Sequence, residues 1–144
     1  MFAVAILMAA MAWWWNYHRG QKALDFYGPE GVLLIRTAPV VEFLQPTPEA
    51  VIDISKAPGL INARASLLSD ASYDWTATAV REESPLFSVR FRRGDRSVVM
   101  TFDFENRTVH ASTTDKTARL VKKTAEGWQN YLARQSKSHS TNSD

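Results

Sequence analysis

The alternation of apolar and polar residues across residues 85–112 constrains this chain more than any other feature. Phe87, Val89 and Phe91 alternate with Ser88, Arg90 and Arg92, while Val98, Met100, Phe102 and Phe104 alternate with Val99, Thr101 and Asp103. Period two over both runs is a strand signal. A two-residue loop at Gly94-Asp95, with glycine supplying positive φ, sets Phe91 opposite Val98, Val89 opposite Met100 and Phe87 opposite Phe102. A slip of one residue would turn one strand's apolar set to water, so the pattern itself selects the register. A second loop at Asn106-Arg107 sets Phe104 opposite Val109 and Asp103 opposite His110, although arginine suits positive φ poorly. Before these runs, Tyr73, Trp75, Ala77 and Ala79 alternate with Asp74, Thr76 and Thr78, and a loop over residues 80–84 would set Ala77 opposite Phe87. The expectation is an antiparallel β-meander of about four strands. Its outer face carries Ser88, Arg90, Arg92, Val99, Thr101, Asp103, His110 and Ser112.

Helices supply the covering layer. Leu60, Ile61, Ala63, Arg64, Leu67 and Leu68 fall at helical spacing after Pro58, which suits the first helical position, so a helix is expected over residues 57–68. From an N-cap at Thr114 or Asp115, Ala118, Val121, Ala125, Trp128 and Leu132 form one apolar stripe, with Lys122 and Lys123 on a solvated face. Gly28-Pro29-Glu30 breaks a helix over residues 19–27 from a shorter one running to Thr37, and residues 40–45 read as a short strand. The assignment of residues 47–55 stays open. Two-layer packing of these helices on the apolar sheet face gives an α+β domain over residues 19–134. The Ser-rich residues 135–144 read as a disordered tail.

Residues 1–15 form an uncharged apolar run ending in Trp13, Trp14 and Trp15, followed by Tyr17, Arg19 and Lys22. With the next few residues the run approaches the roughly 20 needed to span a bilayer, and its aromatic end resembles an interfacial belt with Arg19 beside it. Residues 1–18 are therefore expected to be a single-pass transmembrane anchor holding the domain at the cell membrane, in contact with lipid. A cleavable secretory signal ending near Ala10-Met11-Ala12 and a buried helix are the alternatives. Flanking Lys and Arg would keep the domain cytoplasmic; a start site upstream with further basic residues would place it outside, the side this reading leans to.

Composition narrows the chemistry. The chain has 144 residues, 17 basic and 15 acidic, and its formal charge of +2 is too balanced to suggest nucleic-acid binding. Zero cysteines exclude disulfides and thiolate chemistry, and its 3 histidines lie in separate segments, so neither metal nor cofactor is expected. No internal repeat is visible.

The run Ile54-Ser55-Lys56-Ala57-Pro58-Gly59-Leu60, with Leu67-Leu68-Ser69-Asp70-Ala71-Ser72-Tyr73-Asp74-Trp75, resembles small uncharacterised bacterial proteins that carry an N-terminal membrane segment. The similarity extends more loosely to Gly28-Pro29-Glu30, Ala38-Pro39 and Phe102-Asp103-Phe104. It implies a tethered domain and carries over no functional residue.

Two constellations are candidates for function. Arg90, Arg92, Arg93 and Arg96 cluster at one hairpin end, where guanidinium forks would grip phosphate or carboxylate groups, with Glu82, Glu83 and Asp95 as neutralisers. Asp103 and His110, opposed across strands with Thr101 and Ser112 nearby, would give a carboxylate-oriented general base, although surface pairs of this kind are usually inert. Glu82-Glu83 and Asp70 with Asp74 read as loop and capping residues rather than metal ligands. Trp75, Trp128, Phe87, Phe91 and Phe102 read as core rather than pocket walls. The expected function is a non-catalytic, membrane-tethered module that binds an envelope protein or an anionic surface through the outer sheet face, and the alternative is a ligand-binding or hydrolase-like domain using Asp103 and His110.

Overall fold

The computed structural model describes residues 2–18, 21–46, 49–79 and 86–141. The expected loop over residues 80–84, Glu82, Glu83 and Arg19 lie outside the described residues, as do the side chains of Trp15 and Tyr17 and the last three residues of the tail.

The elements in chain order are α1 (Phe2–His18), α2 (Gln21–Thr37), β1 (Val40–Pro46), β2 (Glu49–Asp53), α3 (Leu60–Leu67), β3 (Tyr73–Asp74), β4 (Phe87–Arg93), β5 (Arg96–Asp103), β6 (Thr108–Ala111), β7 (Lys116–Leu120) and α4 (Lys122–Thr141). The strands form one seven-stranded antiparallel sheet in the order β2-β1-β4-β5-β6-β7-β3. The fold is thus α+β with a larger sheet than the four-strand meander expected.

The β4–β5 hairpin has the expected register, with Phe91 opposite Val98, Val89 opposite Met100 and Phe87 opposite Phe102. Gly94 takes φ 61° in the turn, the conformation that only glycine enters cheaply. The next hairpin differs. Phe102, not Phe104, stands opposite Val109, and His110 faces Thr101 while Asp103 faces Thr108. The Asp103 carboxylate accepts hydrogen bonds from the Asn106 backbone N–H at 3.1 Å and side-chain amide at 2.8 Å, which builds a longer turn than the two-residue loop expected. A displacement of two residues keeps every side chain on its face, which is why the inner and outer sets survive.

Two further expectations are corrected. The strand beside β4 is β1, with Val41 opposite Phe91 and Phe43 opposite Val89, and Tyr73 pairs instead with Leu120 at the far edge. Residues 116–120 form β7, whose Ala118 and Leu120 are buried on the inner face; α4 begins at Lys122 and continues to Thr141, so most of the expected tail is helical. The break at Gly28 is real: φ 70° and ψ 165° kink α2 there, one residue before Pro29.

The inner sheet face, with Val41, Phe43, Val89, Phe91, Met100, Phe102 and Val109, is fully buried beneath α2, α3 and α4. Trp128 of α4 stacks on Phe102 at 5.0 Å, and Arg64 of α3 lies over the Phe91 ring at 5.6 Å. Asp70 accepts the N–H of Ala23 at 2.8 Å, supplying a cap to the first turn of α2 from 47 residues away.

The transmembrane expectation is overturned, since none of the described helices is long and apolar enough to cross a membrane. At about 1.5 Å per residue the 17 residues of α1 extend about 25 Å, short of a hydrocarbon core of about 30 Å. Val4, Ile6, Leu7, Met8, Met11, Trp13 and Trp14 are all exposed along it.

Candidate functional site

Because β-strand side chains alternate, the sheet divides the four arginines between two sides. Arg90 and Arg92 share the outer face with Glu42 and Val40, whereas Arg93 and Arg96, opposed to each other, belong to the helix side. Each group has found its own partner. Glu42 receives Arg90 Nε at 2.7 Å and lies 3.8 Å from Arg92 Nε. Arg93 donates to the Thr37 carbonyl at 2.8 Å, closing the C-terminal end of α2, and Arg96 reaches Glu30 of the same helix at 3.7 Å. The expected single cluster is therefore two pairs, and Glu42 and Glu30 are the counter-charges the sequence reading did not find.

Along the outer face, Asp53, Glu42, Arg90 and Val99 lie in one cross-strand row, and Val51, Leu44, Ser88, Thr101 and His110 in the next. Hydrogen bonds from the Ser55 hydroxyl and backbone N–H hold the Asp53 carboxyl below its ordinary value, so it is anionic at neutral pH. By the same alternation Glu49 joins Asp53 and Glu42 beside Arg90 and Arg92, and Asp103 and Asp74 share the far part of the face with Arg119, so the face carries no excess of positive charge. No described helix covers it, and Val51 is 58% exposed at its edge.

Asp103 and His110 are not brought together. Asp103 is buried and bonded to Asn106, while His110 Nε2 lies 2.8 Å from Oδ1 of Asp115, in the β6–β7 turn. Ser112 is engaged with the Val99 backbone, accepting its N–H at 2.9 Å, and the Ser88 and Thr101 hydroxyls lie 3.3 Å apart. Asp70 and Asp74 act as caps: Asp74 Oδ1 accepts the N–H and hydroxyl of Thr76 at 3.2 and 2.7 Å. Phe91, Phe102 and Trp128 are core, with Trp75 and Phe87 packed against it. Among the described residues no group of three acids or histidines is placed to hold a metal ion.

A second region lies along α3. One cleft of about 940 Å³ is lined by Arg36, Lys56, Pro58, Leu60, Arg64 and Leu68 among others; an adjoining one of about 380 Å³ lies between α3 and α4, lined by Lys123, Tyr131 and Arg134. Arg64 donates to the carbonyls of Arg36 at 3.0 Å and Ala38 at 2.8 Å, and burial lowers its pKa. The Tyr131 hydroxyl is buried with no hydrogen-bond partner among the described residues, an arrangement that costs about 1–3 kcal/mol. Burial raises its pKa, and the charges of Arg134 and Arg64 pull it down. Gly59 at the N-cap of α3, in the left-handed conformation with φ 84°, was the available sequence signal, since a helix entered through glycine has no side-chain acceptor at its N-cap.

The chain matches no protein-family model, no curated protein and no solved structure.

Proposed function

We propose that the chain is a non-catalytic binding module that engages a protein partner through the open face of its sheet. The observation that carries this reading is a seven-stranded sheet whose helices α2, α3 and α4 all pack on one side, leaving Leu44, Val51, Val99, Glu42 and Arg92 on the other. A mixed apolar and charged face of this kind suits the polar-rimmed surface of another protein. It suits a uniformly anionic surface poorly, because Glu42 and Asp53 already answer Arg90 and Arg92.

The test is site-specific photo-cross-linking in the native cell, with the reactive residue placed at Val51 or at Arg92, and at Ile61 on the helix side as control. Val51 and Arg92 should both capture one and the same protein that Ile61 does not. Arg92→Glu should then weaken that adduct at Val51 while leaving the thermal midpoint within a few degrees, as expected for a half-exposed residue with a long ion pair. Equal capture from all three positions would remove the reading.

A further inference from the structure

Two adjoining clefts run along α3 and share Gly59 and Asn62 in their walls. Among the described residues five cationic side chains line them, Arg36, Lys56 and Arg64 in the larger and Lys123 and Arg134 in the smaller, and no carboxylate does. None of the five takes part in an ion pair among the described residues. The Asp53 carboxyl lies within electrostatic reach of Lys56. Cations converging on a partly desolvated cleft focus a positive potential there. The first turn of α3, which has no side-chain cap, adds the backbone N–H groups that follow Leu60, whose own N–H is taken by the Ala57 carbonyl at 3.3 Å.

The independent sign of a ligand is Tyr131. Its side chain is 95% buried by its relative exposure of 5%, it lines the cleft between α3 and α4, and its hydroxyl has no partner among the described residues. A buried phenol left unpaired between two guanidinium groups is an expense to the free fold with no structural return; an acceptor supplied from outside would satisfy it. Cleft volumes of about 940 and 380 Å³ match the range of about 300–1,000 Å³ typical of small-molecule sites.

We propose that the adjoining clefts along α3 bind a small organic phosphate, its phosphoryl oxygens received in the smaller cleft by Tyr131, Arg134, Lys123 and the first turn of α3, and its apolar body lying in the larger against Pro58, Leu60 and Leu68. Phosphate fits better than carboxylate because a dianion answers several cations at once, and guanidinium forks bind it through paired N–H donors. The site is separate from the open sheet face, which lies on the opposite side of the β-layer.

Phenyl phosphate is the probe, titrated into the full chain and followed by backbone amide NMR. Saturable shifts are expected at Leu60, Ile61 and Asn62, with none for phenol. Tyr131→Phe should weaken binding by about tenfold while holding or raising the unfolding midpoint, a combination that a purely structural tyrosine would not give. Arg134→Gln, at an exposed position, should weaken binding comparably without loss of fold. Co-sedimentation with vesicles of phosphatidic acid against phosphatidylcholine separates the two sources of the group. Selective pelleting displaced by phenyl phosphate identifies a lipid headgroup, and binding of phenyl phosphate without pelleting identifies a soluble phosphate. Absence of saturable shifts up to about 10 mM together with no pelleting, or unchanged affinity in Tyr131→Phe, overturns the proposal.

Discussion

Gly31 has no room for a side chain. A Cβ there would stand 2.9 Å from the Thr113 hydroxyl and 3.2 Å from Cβ of Tyr27, and that same hydroxyl donates to the Tyr27 carbonyl at 2.7 Å. The bond matters because Tyr27 lies one residue before the kink at Gly28, where the α-helical carbonyl ladder is interrupted. Thr113 therefore holds the kinked helix against the β6–β7 turn. Gly31→Ala should cost about 1–3 kcal/mol, the usual range for overpacking, read as a lowered midpoint in urea. Thr113→Ala alone loses the hydrogen bond, but in the double variant the clash is gone, so the two losses should sum to more than the double variant shows. Strict additivity, or a silent Gly31→Ala, would mean that Thr113 swings away at no cost.

At the scale of elements, the β5–β6 turn stores strain that can be measured. Arg107 adopts φ 55°, a conformation that costs a residue with a Cβ about 1–2 kcal/mol. Its carbonyl accepts the Leu120 N–H at 2.7 Å, which links the turn to the end of β7, so the conformation is held by the fold rather than by the arginine side chain. Arg107→Gly should stabilise the chain by a few tenths to about 1 kcal/mol after the larger unfolded-state entropy of glycine is set against it. Equilibrium denaturation decides this, and a destabilised variant would show that the guanidinium contributes more than the backbone loses. The same turn explains what was readable in advance. The β4–β5 hairpin was legible because loop and pattern are both local. The β5–β6 register was not, because Asn106 folding back on Asp103 is turn chemistry that periodicity does not encode. Residues 116–120 were misread because Ala118 satisfies a helical spacing to Val121 as well as it satisfies strand alternation with Leu120.

For the molecule as a whole, the choice of strand neighbours and the location of a cleft are both non-local, and neither could be read from the chain. Val41 and Phe43 offer β4 the same apolar alternation as Tyr73 and Trp75, and only the packing of three helices on one face selects β1. Arg36, Lys56, Arg64, Lys123 and Arg134 are far apart in the chain and converge only when α3 and α4 lie side by side. The same long-range assembly buries a pair of tyrosines. Tyr27 and Tyr73 share a hydrogen bond through their hydroxyls, and Tyr73 donates onward to the Leu67 carbonyl at 2.6 Å, so α2, the end of α3 and the β3 edge meet at one point. Burial raises both phenol pKa values; the neighbouring tyrosine reinforces the rise at Tyr27, while at Tyr73 the bond from Tyr27 opposes it and Asp70 adds to it. The sign follows from proton linkage. Below about pH 10 the phenols are protonated in both states and their contribution is complete; above it the unfolded chain releases protons that the native state retains, so stability falls as pH rises. Each group contributes a slope of up to about 1.4 kcal/mol per pH unit, large against a total stability of about 5–15 kcal/mol. Urea midpoints measured from pH 8 to 12 should therefore decline steeply above about pH 10. In Tyr27→Phe the neutral-pH midpoint should drop modestly and the alkaline decline become shallower, because one retained proton is gone while Tyr73 keeps its bond to Leu67. An alkaline limb of unchanged slope in that variant would show that the pair does not set the upper pH limit of the fold.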